Sequence, residues 1–177
     1  MSILKLSQIG LKRTTEPSNS MDLRKEYSVL QKKYNLPEYE DMDKEFELLY
    51  IVDIKEINYP LRFVRRRMSD KIVSVCNMLQ SIIQPNPGSL VSLQESSAFT
   101  KEEKQEMFNL LKDLMQQERQ SLVLDITFDE KADAAFVSEA FLKWTQKKSD
   151  ILKIIQKIRD HWKKSEEEIK PRDRYFG

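Results

Sequence analysis

Apolar residues recur at steps of three or four along most of this 177-residue chain, and that spacing is typical of amphipathic α-helices. The clearest series begins at Pro60 and ends where two prolines and a glycine at 85–88 forbid continuation. The spacing therefore predicts a helix over 60–84, followed by a loop to about Phe99. The expected core positions of this helix are Leu61, Val64, Met68, Ile72, Val75, Leu79 and Ile82.

Two further long helices are predicted after that loop. Thr100 and Glu103 form a capping box, in which each side chain satisfies an exposed backbone amide, so a helix is expected from 101 to about Leu124. Residues 127–130 repeat the pattern before one last helix over about 130–165. The expected core residues are Met107, Leu110, Leu111, Leu114, Met115, Leu122, and then Val137, Phe141, Trp144, Ile151, Ile155, Ile158 and Trp162.

The N-terminal third carries weaker patterns. Residues 1–20 have few apolar groups and are predicted to be a flexible or partner-ordered arm. A helix is predicted over about 22–34, and one or two helical turns within the acidic stretch 38–47. The run 48–54 has β-branched and aromatic residues, but a single strand has no partner here. We therefore expect it to be a buried extended segment or a short helix.

These elements predict an all-α fold, an antiparallel bundle of about four to five helices. The expected organisation is an arm at 1–20, a bundle domain over 21–165 and a charged tail over 166–177. No apolar run approaches the roughly 20 residues that span a bilayer, and no clear signal peptide is visible. We therefore expect a cytoplasmic, intracellular protein without membrane contact that is a monomer or a weak homodimer.

Composition argues against most catalytic and cofactor chemistry. Three scattered glycines exclude a glycine-rich phosphate loop and a dinucleotide fingerprint. A single cysteine, Cys76, and a single histidine, His161, do not provide a zinc site, and no Glu-x-x-His pair is present for a di-iron centre. We expect Cys76 to be a core residue and His161 a surface group near a helix end. No enzyme activity, metal or cofactor is predicted.

A basic cluster in the 60–84 helix is the first candidate site. It consists of Arg62, Arg65, Arg66 and Arg67, followed by Lys71. Three interpretations remain open, although the net charge of the whole chain is only +1. The acidic stretch 38–47 neutralises the arginines within the fold, or the cluster binds nucleic acid or the ribosome, or it binds an acidic protein.

Two charged residues interrupt apolar rows and form the second candidate site. Glu118 falls in the rows of the 101–124 helix and Lys148 in those of the last helix. They are expected to meet as a buried ion pair, to line a polar pocket, or to extend separately to water.

The function expected from these observations is a non-enzymatic helical protein-interaction module or complex subunit, with another protein or a large complex as its partner. The alternative is a nucleic-acid- or ribosome-associated factor that uses Arg62–Arg67 to contact RNA. A third reading is an enzyme or small-ligand carrier with its site at Glu118 and Lys148.

Overall fold

The computed structural model describes residues 23–48 and 59–168, excluding the side chains of 165–168, and every regular element in these ranges is helical. The helices are α1 (Leu23–Tyr34), α2 (Tyr39–Phe46), α3 (Pro60–Ile83), α4 (Leu90–Ser97), α5 (Lys101–Thr127) and α6 (Glu130–Glu168). The all-α prediction is confirmed. The count of four to five helices is not, since the described residues form six. The predicted arm at 1–20, most of the run 48–54 and the tail beyond 168 lie outside these ranges.

α3 is the central helix, and α5 and α6 both pack against it. Its predicted apolar series forms the core, with only Val75 half-buried and the other six positions buried. Arg62 near the start of α3 contacts Asp125 near the end of α5, and Ser69 contacts Ser121, so α3 and α5 run antiparallel. α1 and α2, the helix and the helical turns predicted over 22–34 and 38–47, also pack against α3.

A short helix replaces part of the predicted 85–99 loop, so that prediction is wrong. Ser89 caps α4, and its hydroxyl accepts a hydrogen bond from the Ser92 amide. The buried face of α4 is polar, because the hydroxyls of Ser92 and Ser96 donate to the carbonyls of Ser81 (3.0 Å) and Ile82 (2.7 Å) in α3. A helix with a polar buried face leaves no apolar periodicity in the sequence to predict it.

The starts of the two long helices follow the prediction in part. The capping box of Thr100 and Glu103 is confirmed at the start of α5, and α6 is one continuous helix. The cap of α6 is Asp129 rather than Thr127, since its carboxylate accepts from the amides of residues 131 and 132. Thr127 instead ends α5. Phe128, between them, adopts a left-handed backbone with φ of 55°.

Two predicted core residues are exposed. Leu122 and Ile155 leave 43% and 42% of their surface accessible, and the prediction that both are buried is wrong. α5 turns Ser121 inward in place of Leu122, because Ser121 contacts α3. In α6, Ile151 is buried and Ile154 and Ile158 pack against the core, so Ile155 lies at the edge of the buried face.

Candidate functional site

The arginine cluster centres on Arg65, whose side chain is completely buried where α3, α5 and α6 meet. Its Nε donates to Asp133 Oδ1 at 2.6 Å, and one terminal nitrogen donates to Asp125 Oδ1 at 2.6 Å. The other terminal nitrogen donates to the carbonyl and the hydroxyl of Ser121 at 2.7 and 2.5 Å. All three nitrogens therefore have partners, which is what a buried guanidinium requires.

Asp125 receives two more arginines besides Arg65. Its Oδ1 lies 3.0 Å from Nε of Arg66 and 3.3 Å from Nε of Arg62. Burial alone would raise the pKa of the Asp125 carboxyl, but hydrogen bonds and positive charge from Arg65 and Arg66 outweigh it and hold the pKa below its usual value. Three guanidinium groups thus share two carboxylates, those of Asp125 and Asp133.

Phe128 further covers the outer arginine of the cluster. The guanidinium of Arg62 lies 4.0 Å from the centre of the Phe128 ring, a cation–π geometry, while the opposite side of the ring is exposed. Phe128 occupies the left-handed position after α5, where glycine is usual. Arg62 is consequently held between Asp125 and an aromatic ring.

These contacts correct the prediction for the arginine cluster. Charge within the fold does neutralise Arg62, Arg65 and Arg66, but the carboxylates come from α5 and α6 rather than from residues 38–47. Arg67 contacts Asp70 at 3.7 Å, in the next turn of its own helix.

Lys71 is the one member of the predicted site that contacts the stretch 38–47. Its Nζ donates to the Glu45 carbonyl at 2.6 Å and lies 3.8 Å from the Glu47 carboxylate. A lysine at this position satisfies a carbonyl at the end of α2. The five predicted residues therefore do not form one continuous basic surface.

Glu118 and Lys148, the second candidate site, do not form the predicted ion pair with each other. Each residue has a different partner. Lys148 Nζ lies 2.6 Å from one oxygen of Glu45, and Trp144 Nε1 donates to the other oxygen at 2.9 Å. Burial raises the pKa of Glu45, but these hydrogen bonds outweigh it and leave the pKa below its usual value. Glu118 is mostly buried, and its carboxylate lies 3.1 Å from Arg119.

Cys76 and His161 show no catalytic arrangement. Cys76 is buried, as predicted, and burial together with the negative charge of Glu118 raises the pKa of its thiol to about 11. His161 Nε2 lies 3.0 Å from the Gln94 side chain of α4, so the histidine packs between helices. Within residues 23–48 and 59–168, no group of three His, Cys, Asp or Glu side chains is placed to bind a metal.

A cleft of about 480 Å³ lies between α5 and α6. Its apolar wall includes Met107, Leu110 and Ile154. Two ion pairs join its sides, Glu103 with Lys157, and Asp113 with Lys147 at 3.1 Å. The charges that line this cleft are thus largely paired with one another, which gives it no clear preference for an anionic or a cationic ligand.

The feature that sequence reasoning missed is a second apolar row on α5, here called the outer stripe. It consists of Phe108, Leu111, Met115, Leu122 and Ile126. Phe108, Leu122 and Ile126 are exposed, and the other two are half-buried. At 100° per residue all five fall within about 60° of the helix circumference. One sequence signal could have revealed this stripe: Leu122 and Ile126 do not fit the helical row formed by Met107, Leu110, Leu114 and Leu124.

The buried face of α5 carries two polar residues among its apolar ones, whereas the outer stripe is wholly apolar. Gln117 and Ser121 occupy buried positions on the inner face, while Leu122 and Val123 point outward. A helix normally buries its apolar side chains and exposes its polar ones. Large apolar side chains exposed in a continuous row therefore mark a contact surface.

None of the described helices has a segment long and apolar enough to cross a membrane. Comparison with protein-family models, curated proteins and solved structures found no match to this chain.

Proposed function

We propose that this chain is a non-enzymatic helical interaction module, a subunit of a larger complex, and that it binds another protein through the outer stripe. The observation that carries the proposal is the distribution along α5, where Phe108, Leu122 and Ile126 face outward while Gln117 and Ser121 are buried. A helix that buries one face and also exposes large apolar side chains on another is expected to contact partners on both faces.

The alternative of a nucleic-acid factor has less support from the site. Arg62 and Arg65 are already held by Asp125 and Asp133, and a phosphate would have to compete with those carboxylates. Arg66 is half exposed, yet it also contacts Asp125. RNA binding therefore stays a prediction to be tested beside the leading proposal.

The test is the size of the native assembly. We expect the tagged full chain, in extract of its own cells, to sediment well above its 21.0 kDa mass and to keep that size after nuclease treatment. The double variant Phe108→Asp with Leu122→Asp should sediment as the free chain, because buried carboxylates oppose an apolar contact. Sedimentation at monomer size, or loss of the complex on nuclease treatment, would contradict the proposal.

The matched control is Leu142→Asp with Leu152→Asp. Both leucines are exposed on α6, at 57% and 54%, and lie away from the outer stripe. This control should leave the assembly unchanged. An equal effect of both double variants would show that general surface hydrophobicity, and not the outer stripe, holds the complex.

A further inference from the structure

The outer stripe has the dimensions of a helix-binding surface. Ile126 lies 18 residues after Phe108, so the stripe is about 27 Å long, or five helical turns, at a rise of 1.5 Å per residue. Its apolar steps of three, four, seven and four match the spacing by which one helix packs lengthwise on another.

Beside the stripe lies a shallow depression of about 390 Å³ formed by side chains of α5 alone. Lys112, Met115, Gln116 and Arg119 stand in the relation i, i+3, i+4 and i+7, which is the four-residue hole that receives a side chain of a facing helix. Gln116, Arg119, Gln120 and Val123 repeat the same arrangement one turn later. Two successive holes define the direction of a partner helix along α5.

Charge beside the stripe is basic. Lys112 has no ion-pair partner among the described residues, and Arg119 contacts only its neighbour Glu118. These two cations lie seven residues apart, about 10 Å along one edge of the stripe. Arg66 lies on the opposite edge, beside Asp125. The two acidic residues on this half of α5, Glu118 and Asp125, are both paired with arginines.

We infer that the outer stripe binds an acidic amphipathic helix of another protein, packed lengthwise on α5, an inference that rests on the proposed function. The partner helix places an apolar side chain in the first hole, which includes Met115 of the stripe. Its acidic side chains, seven residues apart, face Lys112 and Arg119.

The described helices do not offer this occupant. The acidic stretch of α2 buries its own apolar residues Tyr39, Met42 and Phe46 in the core. An antiparallel contact between two copies of α5 would place Lys112 and Arg119 of one copy beside the same basic edge of the other, so a second copy would bring like charges together. Charge thus favours a different protein.

The experiment uses the full chain and two synthetic 21-residue helical peptides as probes. Both carry leucine at the a and d positions, and one has glutamate at e and g where the other has lysine. We expect fluorescence anisotropy to show at least about tenfold tighter binding of the glutamate peptide at low salt, with the difference reduced in 0.5 M salt by screening. Equal binding of the two peptides, or binding of neither, would overturn the inference.

Charge reversal and the stripe variants make the test specific. Lys112→Glu with Arg119→Glu should reverse the peptide preference, and Phe108→Asp with Leu122→Asp should abolish binding of the glutamate peptide. The α6 control, Leu142→Asp with Leu152→Asp, should bind as the unmodified chain does, and an equal loss there would count against the site.

Other occupants give distinct results, each of which would overturn the inference. A melting temperature of the stripe variant far below that of the α6 control, without any peptide, would mean that another segment of the same chain covers the stripe. Sedimentation of the purified chain as a dimer that the stripe variant dissociates would mean a second copy. A native complex that depends on the stripe, without any peptide preference, would refute the acidic helix and leave the interaction module standing.

Discussion

Arg65 in α3 and Asp133 in the first turn of α6 form a buried ion pair, with 2.6 Å between Nε and Oδ1 and with the guanidinium fully enclosed. Removing two charges from water costs several kcal/mol, and the pair alone does not offset that cost. The contacts of the same guanidinium with Ser121 and Asp125 complete its hydrogen bonding. One side chain therefore connects three helices at the point where α5 turns into α6.

Loss of this arginine should be the most damaging single change near the cluster. We expect Arg65→Met to lower the free energy of unfolding by about 3–5 kcal/mol, because Asp133 would remain buried without its partner. Adding Asp133→Leu should recover much of the loss, since an apolar pair replaces an ionic one. Urea denaturation of the two variants measures this. The control Arg66→Met, on a half-exposed arginine, should cost no more than about 1 kcal/mol.

A double variant of Arg62 and Arg66 distinguishes ion pairing within the fold from RNA binding. Arg62→Glu with Arg66→Glu should lower the melting temperature, because both residues contact Asp125 and the new carboxylates would repel it. Retention on immobilised RNA should stay negligible in both forms. If the unmodified chain does bind RNA, each lost phosphate contact should reduce the log–log salt slope by roughly 0.7–0.9, and the alternative function would gain support.

Two apolar residues of the long helices should respond differently to truncation. Leu79→Ala should cost about 2–5 kcal/mol because Leu79 is fully buried in α3. Ile155→Ala should cost less, about 1 kcal/mol, since 42% of the residue's surface is exposed to water. Thermal denaturation followed by circular dichroism compares them. Similar costs would mean that Ile155 is covered in solution.

The buried thiol of Cys76 should be alkylated at a rate that depends strongly on pH. With a pKa of about 11, Cys76 carries little thiolate at pH 8, and we expect alkylation about 200-fold slower than for an ordinary thiol of pKa about 8.5. The rate should rise about tenfold per pH unit while the fold persists, since thiolate is the reacting form. The denatured chain is the control and should react at the ordinary rate. Rapid reaction of the folded chain would show that Cys76 is accessible.

The sequence predicted α3 well because, apart from Arg65 and Ser69, the positions that face its neighbours from Leu61 to Ile82 are apolar. It predicted the start of α5 because the capping box of Thr100 and Glu103 depends on residues only three apart. Both kinds of signal are local, so a single sequence contains them in full.

The candidate site depended on contacts that a local pattern does not contain. Asp125 and Asp133 lie about 60 residues from Arg65, and nothing in their spacing relates them to it. The acidic stretch 38–47 is nearer in sequence, and for that reason it was the expected partner. The failure at Leu122 has the same origin, since Ser121 is turned inward by an arginine on another helix.

The inward position of Ser121 determines how α5 is rotated about its own axis. The helix has two apolar rows, and a turn of about 100° would exchange Ser121 for Leu122 at the α3 contact. Burial of apolar side chains alone distinguishes poorly between these two rotations of α5, because each places a row of comparable residues against α3. Hydrogen bonds to Arg65 are available in only one of them. Hydrogen bonding and charge therefore select the rotation of α5, and with it decide which apolar row is buried and which is exposed.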